Sequence, residues 1–195
     1  MITLASSSST RAAILHQAGV VFEVVSPGVD EAMAKTALLK AGGTPHSIAA
    51  ELAALKAVEV SVRCPGLVIG ADQTLDLDRS LHDKAGSLAE ARSRLMLLRG
   101  RTHALHAAVA VARDGTVIWS HVDTARLSMR AFSDDFLDGY LGRVGPSVLG
   151  WVGGYCLEGE GVQLFETVEG DYFSILGLPL LPLLGVLRRE GALAR

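Results

Sequence analysis

Apolar positions in this chain form short unbroken runs, then recur at helical spacing, then return to runs. Ile2–Ala5 has the length and character of a short buried strand. It leads into Ser6–Ser9 and then Thr10-Arg11, which opens a helix whose apolar face is Ala12, Ile14, Leu15 and Ala18 and whose end is Gly19. Val21–Val25 reads as a returning strand, turned by Pro27-Gly28 toward Asp30-Glu31. Thr44-Pro45 has the form of an N-cap followed by proline at the first helical position, and the helix it starts should run to about Val60. Leu67–Ile69 is a buried strand leading through Gly70-Ala71 to Asp72, and Leu75–Asp78 predicts a hairpin turning near Arg79-Ser80. Ser87 and Glu90 have the S-x-x-E spacing of a capping box, so a helix is expected from there toward Leu98. Thr102–Ala112 and Thr116–Arg130 flank Asp114-Gly115, a strong hairpin signal. Ser133 with Asp134 and Asp135 begins another helix, ending near Gly142. A glycine-rich stretch to Gly161, a strand near Val162–Phe165 and a closing helix complete the chain. Early alternation of helix and strand with a long central hairpin predicts an α/β fold, a mixed β-sheet flanked by helices and not an all-parallel one.

Composition narrows the class. The chain of 195 residues is 49% hydrophobic, enough for one well-buried core, and no repeat or linker divides it. The formal net charge is −3 and basic residues are scattered, which argues against a nucleic-acid stripe. Mean hydropathy of +0.34 invites a membrane reading. The longest apolar run, Ile175–Leu187, answers it: Pro179 and Pro182 interrupt the run, which is shorter than the ~20 residues of a spanning helix. The amino terminus has no basic region followed by an apolar signal stretch. Cys64 and Cys156 lack CxxC spacing and read as small buried hydrophobes of a reducing compartment, with a single disulfide left open. The expectation is a soluble, cytoplasmic protein that engages neither nucleic acid nor membrane.

Candidate chemistry begins at the serines. A strand ending in hydroxyls just before a helix start offers free N–H groups, hydroxyl donors and the Arg11 cation at one place, which suits a phosphate. The same residues also read as an over-supplied N-cap, for which one serine suffices. Asp72, placed by the pattern at the end of an apolar strand and so at the rim of the sheet, could bind a divalent metal or take a proton from water; a turn aspartate bonded to its own backbone is the alternative. Asp76 and Asp78 read as a solvated face. Asp30 and Glu31 read as exposed loop acids within reach of a shared metal. Lys56 and Lys84 read by themselves as ordinary surface lysines, but together with these acids and the serine-rich helix start they would form a coherent triphosphate–metal site. His103 and His106 are three apart in a strand and so point to opposite faces. No H-E-x-x-H, G-x-x-x-x-G-K-[ST] or G-x-G-x-x-G occurs, and the stretch Gly145–Leu149 lacks the final glycine of a nucleophile elbow.

Taken in order, seven segments resemble the Maf family of nucleoside triphosphate pyrophosphatases over essentially the whole chain. They are LASSSSTRAAIL at 4–15, VDE at 29–31, the helix bearing Lys56, GADQT at 70–74, the loop lysine Lys84, GRTH at 100–103, and the pair EGEGVQLFETVEGDY at 158–172 with GLPL at 177–180. The resemblance implies a single domain over residues 1–195, an elongated α/β fold with a deep cleft, often a homodimer, and hydrolysis of a nucleoside triphosphate to monophosphate and pyrophosphate with Mg²⁺ or Mn²⁺. It also implies Asp72 as general base, Glu31 and Asp72 as metal ligands, and Ser6, Ser8, Arg11, Lys56 and Lys84 as phosphate-binding groups. Three departures from the common pattern stand out: Ser9-Thr10 replaces Pro-Arg, Gln73 replaces threonine and Glu158 replaces glutamine. Gln73 with Glu158 resembles the subgroup associated with 7-methyl-GTP, so Thr10, Gln73 and Glu158 are the implied specificity positions. Because the family is also linked with septum formation, a non-catalytic nucleotide-binding regulator of cell division is the alternative. A related inosine triphosphate pyrophosphatase would be expected to carry a different amino-terminal motif.

Overall fold

A computed structural model describes residues 1–194 of the chain; Arg195, the last residue of the expected domain, lies outside the described residues. Its centre is a seven-stranded mixed sheet. The strands are β1 (Ile2–Ala5), β2 (Glu23–Val24), β3 (Leu67–Leu77), β4 (Ser80–His82), β5 (Thr102–Arg113), β6 (Thr116–Met129) and β7 (Phe165–Glu169). They run in the order β2-β1-β3-β5-β6-β7, with β4 paired to β3. Only β1 with β2 and β1 with β3 are parallel pairs; the others are antiparallel. The α-helices among the described residues are α1 (Ser9–Gln17), α2 (Glu31–Lys40), α3 (Pro45–Ser61), α4 (Leu88–Leu98), α5 (Asp134–Val144), α6 (Tyr172–Ile175) and α7 (Leu180–Arg189). The mixed α/β architecture matches the expectation, and no helix among the described residues is long and apolar enough to cross a membrane.

Alternation along β3 separates its two faces. Leu67, Ile69 and Ala71 join β1, α1 and α7 in one apolar cluster, while Leu75 and Leu77 join α4, α5, β5 and β6 in a second cluster further along the same face. The opposite face carries α3. Its buried Ala49, Ala53 and Ala57 pack on Ala108, Ala110 and Ala112 of β5, and side chains this small let helix and sheet come close. The approach is tightest at Gly70, where a Cβ would stand 2.2 Å from the Ala53 carbonyl oxygen and 2.5 Å from the Ala57 nitrogen.

Several local expectations need correction. β3 does not end before Asp72; it continues to Leu77, so Asp72 lies within the strand. The segment after Pro27-Gly28 is not a loop bearing two acids: the Asp30 carboxylate accepts from Met33 N at 2.9 Å and caps α2, whose first residue is Glu31. Because α2 has no buried residue, its apolar stripe gives almost no periodic signal. The returning strand is only Glu23–Val24. Residues Glu160–Leu164 form a 3₁₀ turn, and the strand expected at Val162–Phe165 begins instead at Phe165. The closing helix is broken into α6 and α7 by Gly177–Pro179. Helix α5 passes Gly142 and stops at Gly145, whose φ is +58°. Ser87 caps α4, but the Glu90 carboxylate accepts from Gly86 N rather than closing the box on Ser87. Asp76 is not merely solvated, since it accepts from Arg79 N and pairs with His106. Both cysteines are free and only partly buried.

Two predictions follow from packing. Gly70→Ala forces backbone apart and should cost ~3 kcal/mol or more in denaturant unfolding. Gly142→Ala, in a helix with open space around it, should gain up to ~1 kcal/mol; equal effects would refute the close approach. The second concerns His103, buried in β5 with Nε2 2.6 Å from the Tyr155 hydroxyl and Nδ1 without a partner. Burial, reinforced by His82, lowers its imidazole to about 4. Between pH ~6.5 and this value the unfolded chain binds the proton and the folded chain does not, so stability should fall by about 3 kcal/mol on acidification across that window. His103→Gln should remove that part of the slope, and superimposable pH–stability curves would exclude it.

Candidate active site

The sheet has a notch on one edge of β3. Along that edge β1 pairs as far as Gly70 and β4 begins only at Leu75, so the strand is unpaired on this side from Ala71 to Thr74. Asp72 projects toward the α3 face and Gln73 toward α6. A cleft of about 490 Å³ opens around this notch, and it collects Ser6, Ser8, Thr10, Arg11, Glu31, Lys56, Asp72, Gln73, Lys84 and Glu158. These ten residues therefore line one cavity, while Asp30, read with Glu31 as an acid within reach of a metal, caps α2 and does not line it.

At its base Lys56 is buried, contrary to the surface reading. The close seating of α3 brings Nζ to 2.7 Å from Asp72 Oδ1 and 2.8 Å from Glu31 Oε1. Asp72 is 5% exposed, and its Oδ2 is buried with no hydrogen-bond partner. Burial alone would raise the Glu31 carboxyl, but the bond and charge of Lys56, with Lys35 and Arg11, bring it below its ordinary value.

The serine-rich turn divides its labour. Ser8 is the N-cap of α1, its Oγ accepting from Arg11 N at 3.4 Å. Ser6 Oγ accepts from Ser8 N at 3.2 Å and from Arg11 Nη1 at 3.3 Å, leaving its own proton to donate. Arg11 Nε donates to the Gly177 carbonyl at 2.8 Å, which leaves Nη2 without a protein acceptor among the described residues. The cap and the candidate anion site thus coexist: one serine caps and another orients the arginine.

Sequence reasoning overlooked Lys35 and Asp83. Lys35 stands one helical turn after Glu31 and pairs with Asp83, the residue before Lys84; the Asp83 carbonyl accepts from Arg94 at 2.8 Å. Recognising α2 from its Asp30 cap would have placed Lys35 beside Glu31. Lys84 has no carboxylate within 4.0 Å among the described residues, and burial followed by the Arg11 charge lowers its ammonium below the ordinary lysine range. Thr10 and Glu158 both line the cleft, Glu158 exposed and beside Cys156, whose thiol burial pushes up to about 11. His103 and His106 lie outside the cleft.

A family model described as Maf-like protein matches residues 1–190. A nucleoside triphosphate pyrophosphatase of Caulobacter vibrioides is 62% identical over 192 residues, covering 98% of this chain and 96% of that protein. A 7-methyl-GTP pyrophosphatase of Rhizobium etli is 48% identical over 193 residues, covering 98% and 97%. A crystal structure of a dITP/XTP pyrophosphatase from Mycobacterium abscessus aligns at 17% identity with a TM-score of 0.42, over 99% of this chain and 95% of that one, a likeness too loose to bear on the site.

Lys56→Met should destabilise the protein by ~3–5 kcal/mol, because it strands the buried Asp72 carboxylate beside Glu31. Lys56→Met with Asp72→Asn should recover much of that loss. Urea unfolding of the three variants checks it, and a single variant as stable as the double one would sink the account.

Proposed function

The chain belongs to the Maf-like protein family, and from that premise and the charges in the cleft we propose how it hydrolyses a nucleoside triphosphate to monophosphate and pyrophosphate. The observation that carries the mechanism is Asp72: a buried carboxylate with one oxygen held by Lys56 and the other without a partner. Asp72 takes a proton from a water set against the α-phosphorus. The new P–O bond forms as the bond from that phosphorus to the bridging oxygen breaks, and pyrophosphate leaves with the oxygen. Arg11 through Nη2, Ser6 and Ser8 through their hydroxyl protons, and Lys84 through its ammonium bind the phosphates. Lys56 holds Glu31 and Asp72 in register and turns its remaining donor to the same anion.

A divalent ion, Mg²⁺ or Mn²⁺, belongs to the proposal. Glu31 and Asp72 are brought together on Lys56, and Asp72 keeps one buried oxygen without a partner, so a pair of neighbouring carboxylates with a free oxygen fits such an ion. Among the described residues no group of three or more potential ligands occurs, so triphosphate oxygens and water would complete the shell. Charge balance favours it too: Lys35 and Lys56 are already paired with carboxylates, which leaves Arg11 and Lys84 against a polyanion. When bound, the ion neutralises charge as pyrophosphate departs.

For the base, Glu158 of the cleft lining is the proposed contact. Its carboxylate would accept from guanine N1–H and the 2-amino group and would favour the cationic 7-methylated ring, with Thr10 leaving space for it.

Pyrophosphate release from UTP, TTP, CTP, GTP and 7-methyl-GTP, with Mg²⁺ or Mn²⁺, tests the reading. Turnover should appear on at least one substrate and drop by a factor of ~10³ or more in Asp72→Asn, with triphosphate binding retained. Undiminished turnover in that variant removes Asp72 as the base. Silence of the wild type on every substrate while triphosphate still binds would favour the regulatory alternative.

A further inference from the structure

Gln73 departs from the common pattern of its family, where its position bears on the choice of base, yet the nitrogen of its side-chain amide is occupied elsewhere. Gln73 Nε2 donates to the Ser174 carbonyl at 3.0 Å and to the Ile175 carbonyl at 2.9 Å. A primary amide nitrogen has two hydrogens, so its donor capacity is exhausted. The two carbonyl partners also fix which end of the amide is nitrogen. Both acceptors belong to α6, a helix of four residues that is too short to hold its own shape.

Helix α6 is secured at its start from the other side. Asp171 caps it, accepting from Ser174 N at 2.7 Å, and Ser174 Oγ donates to Asp123 of β6 at 2.7 Å. At its end the Ser174 carbonyl also accepts from Gly177 N at 3.0 Å, so Gln73 shares that acceptor with Gly177 and supplies the bond that the Ile175 carbonyl otherwise lacks. The next residue after Leu176 is Gly177, with φ +101°, and its carbonyl accepts from Arg11 Nε at 2.8 Å. A side chain at Gly177 would start 3.6 Å from Arg11 Nε and 3.7 Å from Gln73 Oε1, so Arg11 and Gln73 both lie against this one turn.

We infer that Gln73 is a positioning residue for Arg11: it fixes the end of α6, the Gly177 carbonyl is thereby fixed, and the guanidinium is aimed with Nη2 toward the phosphates. This rests on the cleft being a triphosphate site. Through its amide nitrogen Gln73 then sets affinity for the phosphate chain.

The test separates a phosphate effect from a base effect. Inorganic tripolyphosphate, which has no base, is titrated by calorimetry into wild type, Gln73→Met, Gln73→Glu, Arg11→Met and the Arg11→Met/Gln73→Met double variant. Both Gln73 variants should bind it about 10-fold more weakly, and the double variant should bind no more weakly than Arg11→Met alone, since coupled groups are not additive. In turnover, KM should rise by a common factor on every triphosphate, with kcat little changed and the order of preference kept. Circular dichroism identifies a variant that fails to fold, and the other Gln73 substitution then decides. Unchanged tripolyphosphate affinity, additive losses, a changed order of preference, or a wild type that does not bind tripolyphosphate would each overturn the link. A wild type that binds tripolyphosphate as stated but hydrolyses no nucleotide would refute the proposed activity and leave the positioning role standing.

Discussion

One buried ammonium between two carboxylates organises this molecule. Lys56 reaches Asp72 and Glu31 at 2.7 and 2.8 Å only because α3 lies almost against the sheet. That closeness depends on Gly70 and on the facing alanines of α3 and β5. A buried ion pair is a poor source of net stability, since desolvation offsets most of its Coulomb attraction. A pair of well-packed apolar residues would serve the core at least as well, so the arrangement is better explained by the site it creates. It holds a carboxylate buried beside an ammonium and incompletely satisfied, which is the arrangement required of a group proposed to take a proton or bind a cation.

The route by which solvent and ligand reach a residue in the middle of a central strand is equally physical. β3 has two short neighbours on one edge, parallel β1 at its start and antiparallel β4 at its end, and neither covers Ala71–Thr74. The interruption lets side chains from both faces of the strand meet in one cavity. Asp72 enters from the α3 side, where the charges are, and Gln73 from the α6 side, where the turn that holds Arg11 is. Adjacent residues of a strand ordinarily cannot share a site because they point to opposite faces; at a notch in the edge they can.

What was readable in the sequence follows the range of the interactions. Ser8, Thr44-Pro45, Ser133 and Asp114-Gly115 act within a few residues, and each cap or turn occurs where its chemistry places it. The order of motifs named the cleft residues, but not their burial. Lys56 looked like a surface lysine because only the tertiary seating of α3 encloses it, and Asp72 looked terminal because glycine and alanine before it read as a break rather than as room for a helix. Helix α2 left little periodic trace because it buries nothing completely, and with it Lys35 was lost. The strand near the carboxyl end was shifted because apolar Val162 and Leu164 belong to a 3₁₀ turn. Least legible was Gln73, whose partners lie 101 and 102 residues away.

The two unpaired cations of the cleft hold their charge differently, and the difference suits a polyanionic ligand. Arg11 is fixed at both ends of its guanidinium by Ser6 and Gly177 and cannot lose its proton at any ordinary pH, so it supplies a permanent, oriented charge with little left to order on binding. Lys84 is on the connection between β4 and α4 with only its neighbour Asp83 anchored, and burial and the Arg11 charge both weaken its hold on a proton. An arriving phosphate reverses the second of these effects and offsets the first. Protonation of Lys84 is therefore coupled to occupancy, whereas that of Arg11 is not. In the proposed site, one group would select the ligand by geometry and the other would respond to its charge.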